Sequence, residues 1–171
     1  MNLLHEIWNI YEYSFPENER RDLESHKQIM NNPLYHLVPL KNQDRIIGFI
    51  AYWDLDDFVF IEHLAIKRGL RGKGYGSKTI NKMTSLFPKI ILEVEEPETE
   101  EARKRIRFYQ KHGFYLNSYP YLQPPYKPQD APVPLLLMSF PSKMDELEFC
   151  KAREIMYTKV YQMSNVKSSA H

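Results

Sequence analysis

The segment running from Ile61-Glu-His-Leu-Ala-Ile66 into Arg71-Gly-Lys-Gly-Tyr-Gly-Ser77 constrains this chain more than any other. An apolar, β-branched run stops at Lys67-Arg68. A basic turn with three glycines at alternate positions follows (Gly72, Gly74, Gly76), and Ile80, Met83 and Phe87 then recur at helical spacing. This predicts a strand feeding a loop whose backbone amides converge at a helix N-terminus, an arrangement suited to an anion. The missing Cβ atoms allow phosphate oxygens to approach those amides, and Arg71 and Lys73 add formal charge.

Two common phosphate loops do not fit. A nucleotide P-loop counted from Gly69 reaches Gly74, but Tyr75 stands where lysine is required. A dinucleotide fingerprint fails because Ser77 occupies its third glycine position, although Glu93 lies at a suitable distance for a ribose contact. That fold also needs parallel βαβ units upstream. Instead Tyr35 to Leu40, Ile46 to Trp53 and Phe58 to Ile66 read as three strands with only short turns between them, hence an antiparallel meander.

The other elements follow from periodicity. A first helix carries Leu3, Leu4, Ile7, Trp8, Ile10 and Tyr11, and a second, charged one spans Glu17 to about Met30. After the glycine loop come a helix to about Phe87, a strand over Lys89 to Val94, and a helix opened by Pro97-Glu-Thr-Glu and stopped at Gly113. Phe114 to Tyr121 and Val133 to Phe140 read as strands around a proline-rich connection, Gln123 to Pro132. A final helix is expected from about Ser142 to Gln162. With 171 residues the chain is expected to form one domain over 1–163, with 164–171 as a flexible tail. The net charge of +1 gives no global attraction to nucleic acid, and no apolar run is long enough to span a membrane or resembles a signal peptide. Cys150 is the single cysteine, which excludes an internal disulfide. A cytoplasmic location is expected.

Two motifs in this order resemble the GCN5-related N-acetyltransferases, the GNAT family. Arg71-x-x-Gly74-x-Gly76 is similar to the family's loop for the acetyl-CoA pyrophosphate, and Arg107-Phe-Tyr-Gln-Lys-His-Gly-Phe114 is similar to its helix ending in Phe-Tyr-x-x-x-Gly-Phe. The resemblance covers roughly residues 58 to 116 and departs at Ala102, where many members carry a cofactor-contacting asparagine. It implies an α/β (α+β) fold: a mixed, mostly antiparallel central sheet with helices on both faces and a splayed parallel strand pair for CoA. Here an extra C-terminal helix is appended.

The resemblance further implies acetyl-CoA as co-substrate and direct acetyl transfer to an amine acceptor, without a metal. The pantetheine arm would pair with the backbone of Leu64, Ala65 and Ile66, and the pyrophosphate would lie against Arg71, Gly72, Lys73, Gly74, Tyr75, Gly76 and Ser77. An amide near Leu64 would stabilise the tetrahedral oxyanion, an effect worth about 3 kcal/mol. Tyr109, at the motif position of the family tyrosine, would protonate the departing CoA thiolate; its alternative is an aromatic core residue.

For the base, strand alternation places Glu62 with Phe58, Phe60, Leu64 and Ile66, opposite Val59, Ile61, His63 and Ala65. A carboxylate among phenylalanines would have a raised pKa and accept the amine's proton. The alternative is an ion pair with a nearby Lys or Arg. Cys150 sits in the last helix and reads as a partly buried structural thiol, and no His pair has metal-ligand spacing on one helix face. The acidic run from Glu93 to Glu101 reads as a solvated loop and helix N-terminus, or else as a cation-attracting rim around an amine site.

The acceptor would be selected by Tyr11 to Glu24, with Glu17 and Glu19 as partners for a cation, and by Tyr119 to Pro134 with its tyrosines. A small amine is the expected acceptor; a CoA-binding sensor with little turnover and a protein N-acetyltransferase are the alternatives. The last helix carries an apolar stripe through Phe149, Ala152, Ile155, Met156, Val160 and Met163. That stripe either packs back on the domain or meets a second subunit in a homodimer.

Overall fold

The computed structural model describes residues 2–163; the expected tail at 164–171 lies outside them. Helix α1 (Leu3–Ser14) starts where the Asn2 side chain accepts the Leu4 amide, and α2 spans Leu23–Ile29. The meander follows as β1 (Tyr35–Asn42), β2 (Arg45–Asp54) and β3 (Val59–Ile66). The glycine loop leads into α3 (Tyr75–Leu86), then β4 (Ile90–Val94) and α4 (Glu100–Lys111), capped by the Thr99 hydroxyl. Short strands β5 (Tyr115–Leu116) and β6 (Tyr121–Gln123), the long β7 (Val133–Phe140) and α5 (Glu146–Lys159) complete the chain.

The sheet runs β1-β2-β3-β4-β7-β5, with β6 also on β7. Every pairing is antiparallel except β3 with β4. That parallel pair is in register only from Val59/Ile90 to Ile61/Leu92. Beyond it the strands diverge, as expected for a splayed pair. Both faces are covered. Ile7, Ile10 and Tyr11 of α1, Ile29 of α2, and Phe149, Ala152 and Met156 of α5 pack with Phe49, Trp53, Phe60, Ile91 and Leu137 on one face. Ile80 and Met83 of α3 with Ile106 and Tyr109 of α4 cover Ile50, Val59, Ile61, Leu92 and Met138 on the other.

Three local readings are corrected. The charged stretch from Glu17 is not one helix. A 3₁₀ turn at Glu17–Glu19 ends in extended Arg20, and α2 begins only where the Asp22 side chain accepts the Ser25 amide. The break lets Arg21, 6% exposed, turn into the core. The strand read over Phe114 to Tyr121 is two pieces, because the Asn117 side chain bridges Leu137 O and Ser139 Oγ and accepts from the Met144 amide. The last helix starts later than Ser142, at a capping box formed by Asp145 and Glu148. Its apolar stripe is covered by the chain's own core through Phe149, Ala152, Met156 and Val160, while Met163 stays exposed.

The most consequential correction concerns β3. Ala51 of β2 lies opposite His63 and Tyr52 opposite Ile61, so Glu62 is the extra residue of a β-bulge. Strict alternation ends there. Phe60 and Ala65, expected on opposite faces, belong to the same core, and Leu64 packs with Val59 and Ile61. Nearby, Gly48 lies opposite Ile66, and a Cβ there would sit 2.1 Å from the Ala65 carbonyl oxygen. Only glycine permits β2 to approach the end of β3 so closely.

Candidate active site

The divergence of β3 and β4 opens a cleft of about 620 Å³ that passes through the sheet. Leu64, Ala65, Ile66, Arg71, Gly76, Phe108 and Tyr109 line one part. The glycine loop is shaped as expected at a helix start: Gly74 is the N-cap of α3 with φ 85°, and Gly72 has φ 77°. Space alone would admit a Cβ at either position, so their conformation is what demands glycine. Gly76 differs, because a Cβ there would make an ordinary 3.5 Å contact with Phe108. Arg71 and Lys73 are exposed, and Arg71 Nε donates to Ile66 O at 3.1 Å, tying the loop to the end of β3. Tyr75 OH accepts from Asn42 Nδ2 at 2.9 Å. Ser77 Oγ lies 3.1 Å from His112 Nε2, whose Nδ1 is 3.0 Å from Asn81 Oδ1, so the loop is linked to the end of α4. Ala102 is buried and is not among the residues lining the cleft.

Tyr109 reaches the cleft from the last turn of α4, and its residue is 8% exposed. Burial raises its pKa, with Arg105 opposing weakly, so the phenol keeps its proton at neutral pH. Its hydroxyl has no hydrogen bond among the described residues, which leaves the proton free for a bound group.

Glu62 sits differently from the expectation. Its carboxylate accepts from Arg21 Nη1 at 2.6 Å, Trp53 Nε1 at 3.0 Å and Tyr126 OH at 2.7 Å, and its side chain is fully buried. Burial is the largest single influence and pushes its pKa up, but Arg21, His63, Trp53 and Tyr126 together outweigh it. The net displacement is downward, so the raised pKa expected for Glu62 is not found: it forms the ion pair that was the alternative. The residue as a whole is only half-buried, so the bulge presents Glu62 to the cleft through its backbone.

The carboxyl raised furthest is Glu93. It lies on β4 where the strands part, not in a solvated loop as its acidic neighbours suggested. Tyr121 OH donates to it at 2.5 Å, Gln123 Nε2 at 3.0 Å, and Tyr161 OH at 2.7 Å. Burial dominates these three hydrogen bonds, which favour the anion, and the Glu93 pKa is raised to about 7. Its clamp was hidden in the sequence, because Tyr161 lies 68 residues away. The one visible hint was a glutamate inside an otherwise apolar strand, Ile90 to Val94.

The connection after β5 turns its tyrosines inward. Tyr121 meets Glu93, Tyr126 meets Glu62, and Tyr119 packs on Phe149. Glu17 pairs with Lys127 at 3.6 Å at the surface, whereas Glu19 lines the cleft. Cys150 is a half-buried thiol on α5 and is not among the residues that line the cleft. Among the described residues no three His, Cys, Asp or Glu side chains are grouped to hold a metal ion, and no helix is long and apolar enough to cross a membrane.

A splayed parallel pair, a glycine loop at a helix start and a tyrosine on the following helix are thus brought to one cleft. The family model of the acetyltransferase (GNAT) family matches residues 1–114. The chain belongs to that family. A GNAT-family protein from Bacteroides thetaiotaomicron, named as an acetyltransferase, is 36% identical; the match covers 94% of this chain and 93% of that one, with a TM-score of 0.88. YjbC of Bacillus subtilis, also named as an acetyltransferase, is 34% identical over 67 residues, which are 38% of this chain and 35% of that protein. The match therefore spans about a third of that relative's length. An aminoglycoside 6'-N-acetyltransferase solved with coenzyme A shares the fold at 17% identity, a TM-score of 0.57 and coverage of 85% and 95%.

Proposed function

We propose that this protein transfers the acetyl group of acetyl-CoA directly to the amino group of a small molecule. The observation that carries the reading is the position of Glu93: a carboxyl with a pKa of about 7 stands where β3 and β4 part, in the same cleft as the glycine loop and Tyr109. The chain's own residues fit the cofactor. At the α3 N-terminus the amides of Gly72 to Ser77 would hold the pyrophosphate, with Arg71 and Lys73 adding charge. Past Ile61 the β3 edge has no partner strand, so the backbone of Leu64, Ala65 and Ile66 is open to an extended pantetheine arm.

The transfer needs three proton movements. An alkyl ammonium has a pKa of about 10 and no lone pair, so it must lose a proton before attack. Glu93 accepts that proton. The nitrogen lone pair attacks the thioester carbonyl carbon, and the backbone at the Glu62 bulge and Leu64 supplies the amide for the resulting oxyanion. The C–S bond then breaks, the electron pair leaves on sulfur, the Tyr109 hydroxyl protonates the thiolate, and the nitrogen of the new amide gives up its second proton, which restores the Tyr109 phenol. Glu62 keeps its charge and holds the wall, since it is ion-paired with the buried Arg21 and its pKa is lowered.

Thiol release from acetyl-CoA tests this reading. Amine-dependent release with acetylated product identified by mass is expected. Acetyl-CoA binding without release for any amine would instead support the sensor alternative.

A further inference from the structure

Three polar side chains behind the glycine loop form a hydrogen-bonded chain that the transfer reaction leaves unused. Ser77 Oγ, on the first turn of α3, is 3.1 Å from His112 Nε2, and His112 Nδ1 is 3.0 Å from Asn81 Oδ1, one turn further along α3. His112 is the C-cap of α4, so its ring joins the helix bearing Tyr109 to the helix that follows the loop. Phe108 meets the ring edge-on with centroids 4.9 Å apart, and the same Phe108 borders Gly76 of the loop.

The order of donors follows from Asn81. Its oxygen can only accept, so Nδ1 carries the hydrogen and, in the neutral ring, Nε2 accepts. Ser77 then donates its single hydroxyl hydrogen to His112, whereas a phosphate oxygen at the loop needs that hydrogen for itself. Protonation of the ring reverses the bond. Nε2–H donates to Ser77 Oγ, the hydroxyl hydrogen is released for the phosphate, and a positive charge stands one hydroxyl group away.

The surroundings keep the ring neutral until an anion arrives. Ser77 and Asn81 from α3 and Phe108 from α4 face it and are uncharged. Lys111 precedes it on α4, and the loop and the first turn of α3 carry the exposed Arg71, Lys73 and Lys78. Burial, then Lys111, hold the His112 pKa below the ordinary 6.5. Neither ring nitrogen is bonded to a carboxylate among the described residues. The negative charge of a pyrophosphate at the loop favours the protonated ring.

We propose that His112 is a positioning residue for the cofactor: on binding of the acetyl-CoA pyrophosphate, the ring takes up one proton from solvent and turns the Ser77 hydroxyl onto the phosphate. The proposal rests on the cofactor reading above and adds a proton to the binding step. Below the pKa of the free protein the ring is already protonated and affinity is highest. Affinity falls as pH rises from the free to the bound pKa, and levels off above it.

Dephospho-CoA is the probe, because it keeps the pyrophosphate and lacks the 3′-phosphate, which itself titrates at about 6. The imidazole signals of His112, assigned by their loss in His112→Gln, are titrated by NMR with and without the probe. The midpoint is expected below 6.5 in the free protein and about one pH unit or more higher in the complex. Affinity by calorimetry should fall correspondingly, about tenfold from pH 5 to pH 8. In His112→Gln the amide still donates to Ser77 but does not titrate, so the fall should shrink at least about threefold, the remainder belonging to Glu93. Ser77→Ala should remove most of the rise in the His112 midpoint; a rise unchanged in that variant would overturn the part given to the hydroxyl. A His112 midpoint unmoved by bound probe would overturn the proposal and leave the cofactor reading standing. Absence of dephospho-CoA binding to the wild type would overturn both.

Discussion

Replacing Glu93 by glutamine tests the proton path with almost no change of shape. The amide keeps an oxygen for Tyr121 and Tyr161 but cannot take a proton from an ammonium. A positioned general base contributes about 10²–10⁴-fold, so kcat/KM at pH 8 should fall by about 100-fold or more. In the wild type, kcat/KM should rise with pH through a midpoint near 7, the pKa of the Glu93 carboxyl, and in Glu93→Gln that limb should flatten. Stability provides an independent readout. The Glu93 pKa goes from an ordinary 4.5 to about 7 on folding, so the folded state holds the proton more tightly than the unfolded chain. Ionisation therefore opposes folding: the cost is absent below about 4.5, grows as pH rises, and is complete above about 7. At about 1.4 kcal/mol per pH unit it comes to roughly 3 kcal/mol. His26 and His63, held down to about 4 by burial, act oppositely and lose stability as pH falls from 6.5, so the wild type alone gives a mixed profile. The difference between wild type and Glu93→Gln, from urea unfolding at pH 5 and pH 8, cancels the histidines and should favour the variant at pH 8. An acidic limb near 7 that survives in Glu93→Gln, with no pH-dependent stability difference, would refute Glu93 as the base.

Tyr109→Phe should lower kcat while leaving acetyl-CoA affinity nearly unchanged, because the hydroxyl acts as the thiolate leaves; equal loss of both in steady-state and calorimetric data would make it a packing residue. Gly74→Glu places a carboxylate and a Cβ where φ is 85° and the pyrophosphate is expected, so CoA affinity measured by calorimetry should fall at least tenfold, about 1.4 kcal/mol. Arg21→Leu strips the buried Glu62 carboxylate of its cation and should cost about 3–5 kcal/mol in urea unfolding, with part of the loss recovered when Glu62→Gln is added.

What could be read from the sequence alone was whatever depends on neighbours along the chain. The strand–glycine–helix transition at Ile66 to Ser77 is local: φ values of 77° and 85° at Gly72 and Gly74 require the residue type, and the helix follows from apolar spacing. The meander, the Thr99-capped helix carrying Tyr109, and the apolar stripe of α5 were legible for the same reason. Glu62 shows where such reasoning stops. Period-two alternation assigned its neighbours to faces, but one bulge residue reverses every assignment beyond it, and a bulge arises from pairing with β2. The Arg21 side chain, the largest of the influences that together lower the Glu62 pKa, comes from 41 residues earlier and from a stretch read as helix. Glu93 was masked by the acidic residues that follow it. Its burial comes from the divergence of β3 and β4, and its clamp from Tyr121, Gln123 and Tyr161, which only the folded chain brings together. A carboxyl's pKa depends on solvent exclusion and on charges within a few ångströms. Those are properties of the packed chain, not of adjacent residues.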